Sequence, residues 1–294
     1  MSRLGTWFLA TRPWSFSMSA ISVSVGAALA AGSGFSAGLY VLTLAGMVLL
    51  HGATNLINDY FDVKNRVDVP DAPTVKYRPH PLADRELGLN QVLAAAVAMY
   101  AAGIGIGLFL AATRGWPVLA IGAVGVAVSL CYTAPLFPLK YKALGEVAVF
   151  FMWGPLSMLG AYYVQSQALS WTPVLVSIPF GTLVGLVLLA NNLRDREHDR
   201  RQGIFTLAVL LGGRGGNALF AGLIVAAFAG IGLMSLAGPL SPISLLVFLA
   251  APLAAPLLKM VKYGWPDDAD ARTAKLDTAF GVLLLASLIL NKAW

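Results

Sequence analysis

A single cysteine, Cys131, in 294 residues excludes an internal disulfide and a cysteine-built metal cage, and the side chain reads as a small filler between helices. Charge is scarce too: Asp, Glu, Lys and Arg make up 12% of the chain, against 58% hydrophobic residues and a mean hydropathy of +0.75. That balance excludes a soluble domain, whose core could not hide so much apolar surface, and it makes the bilayer the solvent. The apolar runs are too many and too widely spread for a secretory signal peptide, and Arg3 and Arg12 precede a first run that reads as a retained span.

What is present is nine apolar stretches, each near the roughly 20 residues that a bilayer crossing needs. They fall near residues 14–32, 37–58, 90–112, 117–135, 145–164, 172–192, 216–237, 242–260 and 276–292. Backbone polar groups in lipid need partners within their own segment, so the spans are helices and the expected fold is an all-α polytopic membrane protein. With the N-terminus placed in the cytoplasm, 18 of the 20 Lys and Arg lie inside and only Arg114 and Lys292 outside. That topology accounts for the net charge of +6, so no nucleic-acid partner is expected. All 14 Asp and Glu fall in the inside segments as well, although the charge rule does not place acids there.

Two of those segments concentrate the acids. In "HGATNLINDYFDVKNRVD", residues 51–68, His51, Asn55, Asn58 and Asp62 recur at helical spacing and share a face, with Asp59 beside them. Asp68 joins that face only if the helix ends and the chain bends back. In "NNLRDREHDRRQG", residues 191–203, Asp195 and Asp199 stand at i and i+4, one turn after Asn191 and beside Asn192. Carboxylates repel each other and suit a helix C-terminus poorly, so a bound divalent cation would relieve both problems. Carboxylate and amide oxygens are hard donors that suit magnesium or calcium, and magnesium completes its shell with water and substrate phosphates. Two such clusters facing each other would grip a diphosphate between metal ions. Asp62 and Asp195 lie four spans apart with the same orientation, which suggests a duplicated helical unit.

Together with "YTAPLFPLKYKALGE", these stretches resemble the UbiA superfamily of intramembrane prenyltransferases, and most nearly its menaquinone-pathway branch, which prenylates 1,4-dihydroxy-2-naphthoate. The likeness extends from "ATRPWSF" to about residue 216 and implies one domain over 1–294, a bundle around a central cavity, and capping loops at about 59–89 and 193–215. It implies Mg2+ as cofactor, held by Asp59, Asp62, Asp68, Asp195 and Asp199. The implied partners are an isoprenyl diphosphate donor, a small lipophilic or aromatic acceptor and the bilayer. Tyr132 and Lys140 fall where such enzymes contact the diphosphate, and Arg78 stands where the family has a basic residue in the loop after the first motif; Asn55, Asn58, Asn191, Asn192 and Arg194 are read in substrate-binding roles. The Asp68 spacing resembles the menaquinone branch, whereas "RPHPL" resembles members that use other acceptors, and Arg66 stands where many members carry an acid. The expected location is the inner or plasma membrane of a prokaryote, with the site facing the cytoplasm.

The remaining features are read more plainly. His51, an ionisable group at membrane depth, either orients the acceptor and takes its proton or bridges helices. Arg194 and Arg196 either contact the leaving group or partner the neighbouring acids; Lys142 reads as a topology charge, and His80 and His198 as loop residues without a role. Gly103, Gly107, Gly181 and Gly185 form small-xxx-small pairs for close helix packing. "LGGRGG", residues 211–216, lacks the preceding strand and lysine of a P-loop and reads as a turn. Pro70, Pro73, Pro79 and Pro81 stiffen a loop placed to cap the diphosphate. A transporter is the rival from another class, but transporters gather charge near the midplane, and here it gathers at one face. Within the superfamily, a prenylglycerol phosphate, a 4-hydroxybenzoate-type acid, a carotenoid end, or cyclisation without an acceptor share the same aspartates.

Overall fold

The computed structural model describes residues 2–68, 73–133 and 137–293, and among them nine helices are long and apolar enough to cross a membrane. A short α1 (Arg3–Ala10) leads into α2 (Pro13–Ala30) and α3 (Ala37–Lys64), and a second short helix, α4 (Pro73–Tyr77), follows. The remaining spans are α5 (Leu89–Arg114), α6 (Trp116–Thr133), α7 (Gly145–Ser166), α8 (Trp171–Arg201), α9 (Leu207–Ala237), α10 (Pro242–Tyr263) and α11 (Ala269–Asn291). Pro70, expected in the capping loop, and residues 134–136 of the "YTAP" stretch lie outside the described residues.

The two helices that carry the acids are among the longest, 28 residues for α3 and 31 for α8, against the roughly 20 that a crossing needs. The expected loop at 193–215 is therefore mostly helix. Arg and Asp or Glu alternate there with no breaker before Gly203, so α8 continues to Arg201 and the connector shrinks to residues 202–206. Likewise α3 runs to Lys64, which leaves Asp59 and Asp62 on its last turns rather than in a loop. "LGGRGG" lies inside α9, where the helix breaks at Gly212, whose φ of +66° suits glycine and few other residues. α11 starts at Ala269, well before the expected 276, with Asp270 in its first turn, where an acid opposes the positive end of the helix. Asp277 is therefore inside the bundle and fully buried, not at the membrane surface.

α8 is the central element, with 67% of its most apolar window buried, and it packs on α7, α9 and α11. A separate cluster joins α3 to α5 around Leu56, Val92 and Ala96. Gly181 of α8 meets Gly154 of α7 so closely that a Cβ on Gly181 would lie 2.9 Å from both Gly154 Cα and Phe150 O. Gly103 and Gly185 are close-contact positions as well, but Gly107 faces open space and lines a cavity instead. Beside the Gly154 contact, α7 widens into a π-turn over Met152–Leu156, where Pro155 cannot donate a helical hydrogen bond. The hydroxyls of Ser157 and Ser22 bond the carbonyls of Met152 and Trp153 there.

Gly181→Ala is expected to destabilise the protein by about 1–3 kcal/mol, because backbone rather than a flexible side chain must yield. Gly222→Ala, where nothing lies within 4 Å, is expected to leave stability unchanged or slightly raised. Thermal unfolding of both variants in detergent checks this; equal melting temperatures would show that the α7–α8 approach does not limit stability.

Candidate active site

The last turn of α3 is built to bend. Asn65 caps the helix, Arg66 adopts φ +59°, and the N–H groups of Arg66 and Val67 return to the carbonyls of Val63 (3.1 Å) and Asp62 (2.8 Å). This is the reciprocal C-terminal pattern usually closed by glycine. It turns the chain back so that Asp68 N–H reaches Asp62 O at 3.2 Å and the Asp68 side chain rejoins the face that carries Asn58 and Asp62.

Each carboxylate there has its own partner. Asp62, 1% exposed, accepts from Lys140 Nζ at 2.5 Å, from Asn58 Nδ2 at 3.0 Å, and from the Tyr141 hydroxyl. Asn58 Oδ1 in turn accepts from Thr133 at 3.0 Å and Lys140 at 3.4 Å. Asp59 pairs with Arg12. Asp68 Oδ2 lies 3.0 Å from His80 Nε2; His80 Nδ1 accepts the Ala83 N–H at 3.2 Å, so the imidazole proton is on Nε2 and donates to Asp68. Burial opposes charge on Asp68, but the His80 hydrogen bond and the nearby Lys140 outweigh it and hold the carboxyl down at about 2. Burial likewise opposes the Lys140 ammonium, and Asp62 outweighs it, holding the group above its ordinary range.

The second cluster arises on the last turns of α8. Arg194 grips Asp195 through both oxygens, at 2.7 and 2.8 Å, and donates to Asn191 Oδ1 at 2.8 Å. Asp199 is buried, with Thr206 Oγ1 at 3.5 Å from its carboxylate. Asn192 turns its amide to Glu146, a buried acid, at 2.8 Å. Arg196 pairs with the exposed Glu197 at 2.9 Å, and Lys142 sits over the Phe137 ring. One main-chain link brings the two clusters' supports together: Ala143 N–H donates to Phe205 O at 2.6 Å, tying the Lys140 loop to the short α8–α9 connector.

The two clusters meet across a small cleft that adjoins a larger cavity. A cavity of about 1060 Å³ is lined by Asn55, Asn58, Asp62, Asp68, Arg78, Tyr132, Lys140 and Asn191, and by His51 deeper in. A small cleft between Asp68 and Lys140 on one side and Asn192, Asp195 and Asp199 on the other completes the mouth. Away from the acids the wall turns apolar and runs to Leu110, Val118 and Val164, at the opposite ends of their helices. At the mouth, Asp270 of α11 stands between two arginines, 3.6 Å from Arg78 and 3.3 Å from Arg194. Burial, with Arg12 nearby, lowers Arg78 to about 10.

Several of these residues carried no signal in the sequence. Arg12 counted as a topology charge, yet it holds Asp59. His80, set aside as a loop residue, is buried, and Asp59, Asp68 and His80 place ligand atoms within 4.8 Å of one another. Tyr141 and Asp270 lie outside the acid-rich motifs that the sequence offers. His198 lines the small cleft, with Nε2 buried and unbonded among the described residues. Asn55 donates to the Thr11 carbonyl (2.9 Å) and Ser15 (3.3 Å), bracing the N-terminal turn.

Residues 19–286 match the profile of the UbiA prenyltransferase family. The 1,4-dihydroxy-2-naphthoate octaprenyltransferase of Bacillus subtilis is 30% identical over 257 residues, which cover 86% of this chain and 82% of the relative. UbiA prenyltransferase domain-containing protein 1 of Mus musculus is 32% identical over 99% of this chain and 86% of its own. Among solved structures, a UbiA homologue from Aeropyrum pernix superimposes with a TM-score of 0.69 at 19% identity, covering 94% of this chain and 98% of that one. One from Archaeoglobus fulgidus, bound to GPP and Mg2+, gives 0.67 at 14% identity, covering 97% and 99%.

Removing Arg12 strands a buried carboxylate, so Arg12→Ala is expected to destabilise the protein by about 3 kcal/mol. Arg200→Ala, on an exposed side chain, should change stability by less than about 0.5 kcal/mol. Melting curves of the two variants in detergent check the difference; equal losses would remove Arg12 from the account of the site.

Proposed function

The chain belongs to the UbiA prenyltransferase family, and from that premise we propose that residues 1–294 act as one unit that prenylates an aromatic, quinone-precursor acceptor inside the membrane. The donor in this reading is an isoprenyl diphosphate, and diphosphate is released. The observation that carries the proposal is the meeting of two aspartate clusters and Lys140 at the mouth of one long cavity.

The donor set suits magnesium. Asp59, Asp62, Asp68, Asp195 and Asp199, with the amide oxygens of Asn58 and Asn191, are hard oxygen donors, and they crowd negative charge at two helix C-termini. Bound there, Mg2+ supplies Lewis-acid neutralisation of charge on the diphosphate oxygens. Lys140 and Arg78 line the cavity as fixed cations for the charge that builds on the leaving group as the allylic carbon–oxygen bond breaks, and Arg194 holds Asp195 and Asp270 in place behind them. Tyr132 lies on the same wall, within reach of the diphosphate. The apolar stretch towards Leu110 and Val164 takes the isoprenoid tail and keeps water from the allylic cation until the acceptor's electron-rich carbon attacks it.

Two observations support an aromatic acceptor. The Bacillus subtilis relative is named for 1,4-dihydroxy-2-naphthoate. Trp153 and His51 line the cavity deeper than the acids, with Trp14 nearer the mouth beneath Arg78. The distribution of Lys and Arg supports a cytoplasmic N-terminus and a site that opens to the cytoplasm.

The test is turnover by the full chain in detergent. Geranyl, farnesyl and geranylgeranyl diphosphates would be offered with 1,4-dihydroxy-2-naphthoate, 4-hydroxybenzoate or geranylgeranylglyceryl phosphate, with magnesium or EDTA. The expected result is a prenylated aromatic formed with magnesium only, with kcat/KM reduced at least about 100-fold in Asp62→Ala and Asp195→Ala. Prenylation of the glyceryl phosphate alone, or diphosphate release without a prenylated product, would overturn the aromatic acceptor. Magnesium-independent turnover would overturn the metal assignment.

A further inference from the structure

Ser15, Ser19 and Ser22 of α2 recur at i, i+4 and i+7 and share one face, yet none touches the aspartate clusters. They hold two ring side chains instead. Ser22 Oγ donates to Trp153 O at 2.5 Å, Trp153 Nε1 donates to Ser19 Oγ at 2.9 Å, and Ser19 Oγ lies 2.8 Å from His51 Nδ1. On the other side of the imidazole, Ser15 Oγ lies 3.2 Å from His51 Nε2.

The proton positions follow from counting donors. A hydroxyl has one proton, and Ser15 gives its own to the Arg12 carbonyl at 2.7 Å, a group that can only accept. Ser15 therefore accepts at His51, which puts the imidazole proton on Nε2. Nδ1 is then the acceptor, and Ser19, while accepting from Trp153, donates to it. The ring is thus held firmly on its Nδ1 side, at 2.8 Å, while its Nε2–H makes the longer contact, to a serine on a short turn that precedes the α-helical part of α2.

A polar clamp that only joined helices would face its neighbours. This one opens on the cavity, because Trp14, Ser15, His51, Asn55 and Trp153 all line it. By contrast, the other polar group on that wall, Tyr100 with Thr54 and Ser129, is closed upon itself. Trp153 comes from the π-turn of α7, and its ring meets the imidazole edge-on with centroids 4.7 Å apart. His51 stands seven residues before Asn58, about 10 Å along the helix, which leaves room for one flat ring system between the clamp and the diphosphate oxygens.

We infer that this clamp is the acceptor subsite. A hydroxylated aromatic lies in the cavity beside the touching His51 and Trp153 rings, and its hydroxyl oxygen takes the Nε2–H of His51 in place of Ser15. Ser19 and Trp153 are positioning residues that fix the ring's tautomer and tilt. The inference rests on the aromatic acceptor proposed above.

The test is steady-state kinetics of the full chain in detergent with magnesium, for whichever of 1,4-dihydroxy-2-naphthoate and 4-hydroxybenzoate the wild type prenylates. In His51→Leu the acceptor KM should rise about tenfold with the donor KM within twofold, since one hydrogen bond in a dry site is lost. An acceptor analogue that lacks the hydroxyl should bind as a competitive inhibitor more weakly than the hydroxylated compound in the wild type, and about equally in the variant. Ser19→Ala, which removes one hydroxyl and no ring, should show a smaller rise of about threefold in the acceptor KM, and serves if His51→Leu does not fold. An unchanged acceptor KM, or a rise in the donor KM instead, in a variant whose wild type prenylates the aromatic, overturns the subsite alone. A wild type that prenylates neither aromatic overturns the acceptor reading and the subsite with it.

Discussion

Carboxylates gathered on the last turns of two membrane-spanning helices are held in place by donors, most of which reach them from other parts of the chain. Asp59 and Asp62 of α3 and Asp195 and Asp199 of α8 stand at the negative ends of their own helices, in surroundings too dry to screen them. Arg12 comes from the turn before α2, Lys140 and Tyr141 from the α6–α7 loop, and His80 from the segment after α4, to reach Asp59, Asp62 and Asp68. Arg194 is the exception, since it folds back along its own helix to grip its neighbour Asp195. The mouth of the cavity is organised by these pairings.

The rest of the bundle shapes what lies beneath. Two glycines, Gly154 and Gly181, let α7 and α8 touch backbone to backbone, and beside them lies the π-turn that carries Trp153 to the cavity wall, where the Ser22 and Ser157 hydroxyls bond the Trp153 and Met152 carbonyls. Arg78 and Arg194 converge on Asp270, so the α4 segment, α8 and α11 meet over the opening. Charge gathers at the mouth, and the walls below it are apolar.

Much of this was legible in the residues. Nine apolar runs of membrane length correspond to nine helices long enough to cross a membrane among the described residues, and the spacing of His51, Asn55, Asn58 and Asp62 put all four on the cavity wall. Helix ends were less legible. α8 carries its charges nine residues beyond the expected end of its span, because alternating acids and arginines form good helix once they leave the membrane. Asp277, grouped with the surface acids, is fully buried because α11 begins at Ala269 and carries it into the bundle. His80 and Arg12 were hidden because each lies in a stretch with no acid-rich motif of its own.

The sequence by itself determined the solvent, the number of spans and the residue types gathered at one face, since hydrophobic length and helical spacing are local properties of the chain. Only the tertiary structure decided which cation meets which acid, that Gly107 borders a cavity while Gly103 borders a helix, and that Ser15, Ser19, His51 and Trp153 form one connected group. Those outcomes depend on how α2, α3 and α7 are rotated and how closely they approach. Rotation and approach are settled by the fit of glycines, a π-turn and large side chains against one another, which no spacing along a single helix encodes.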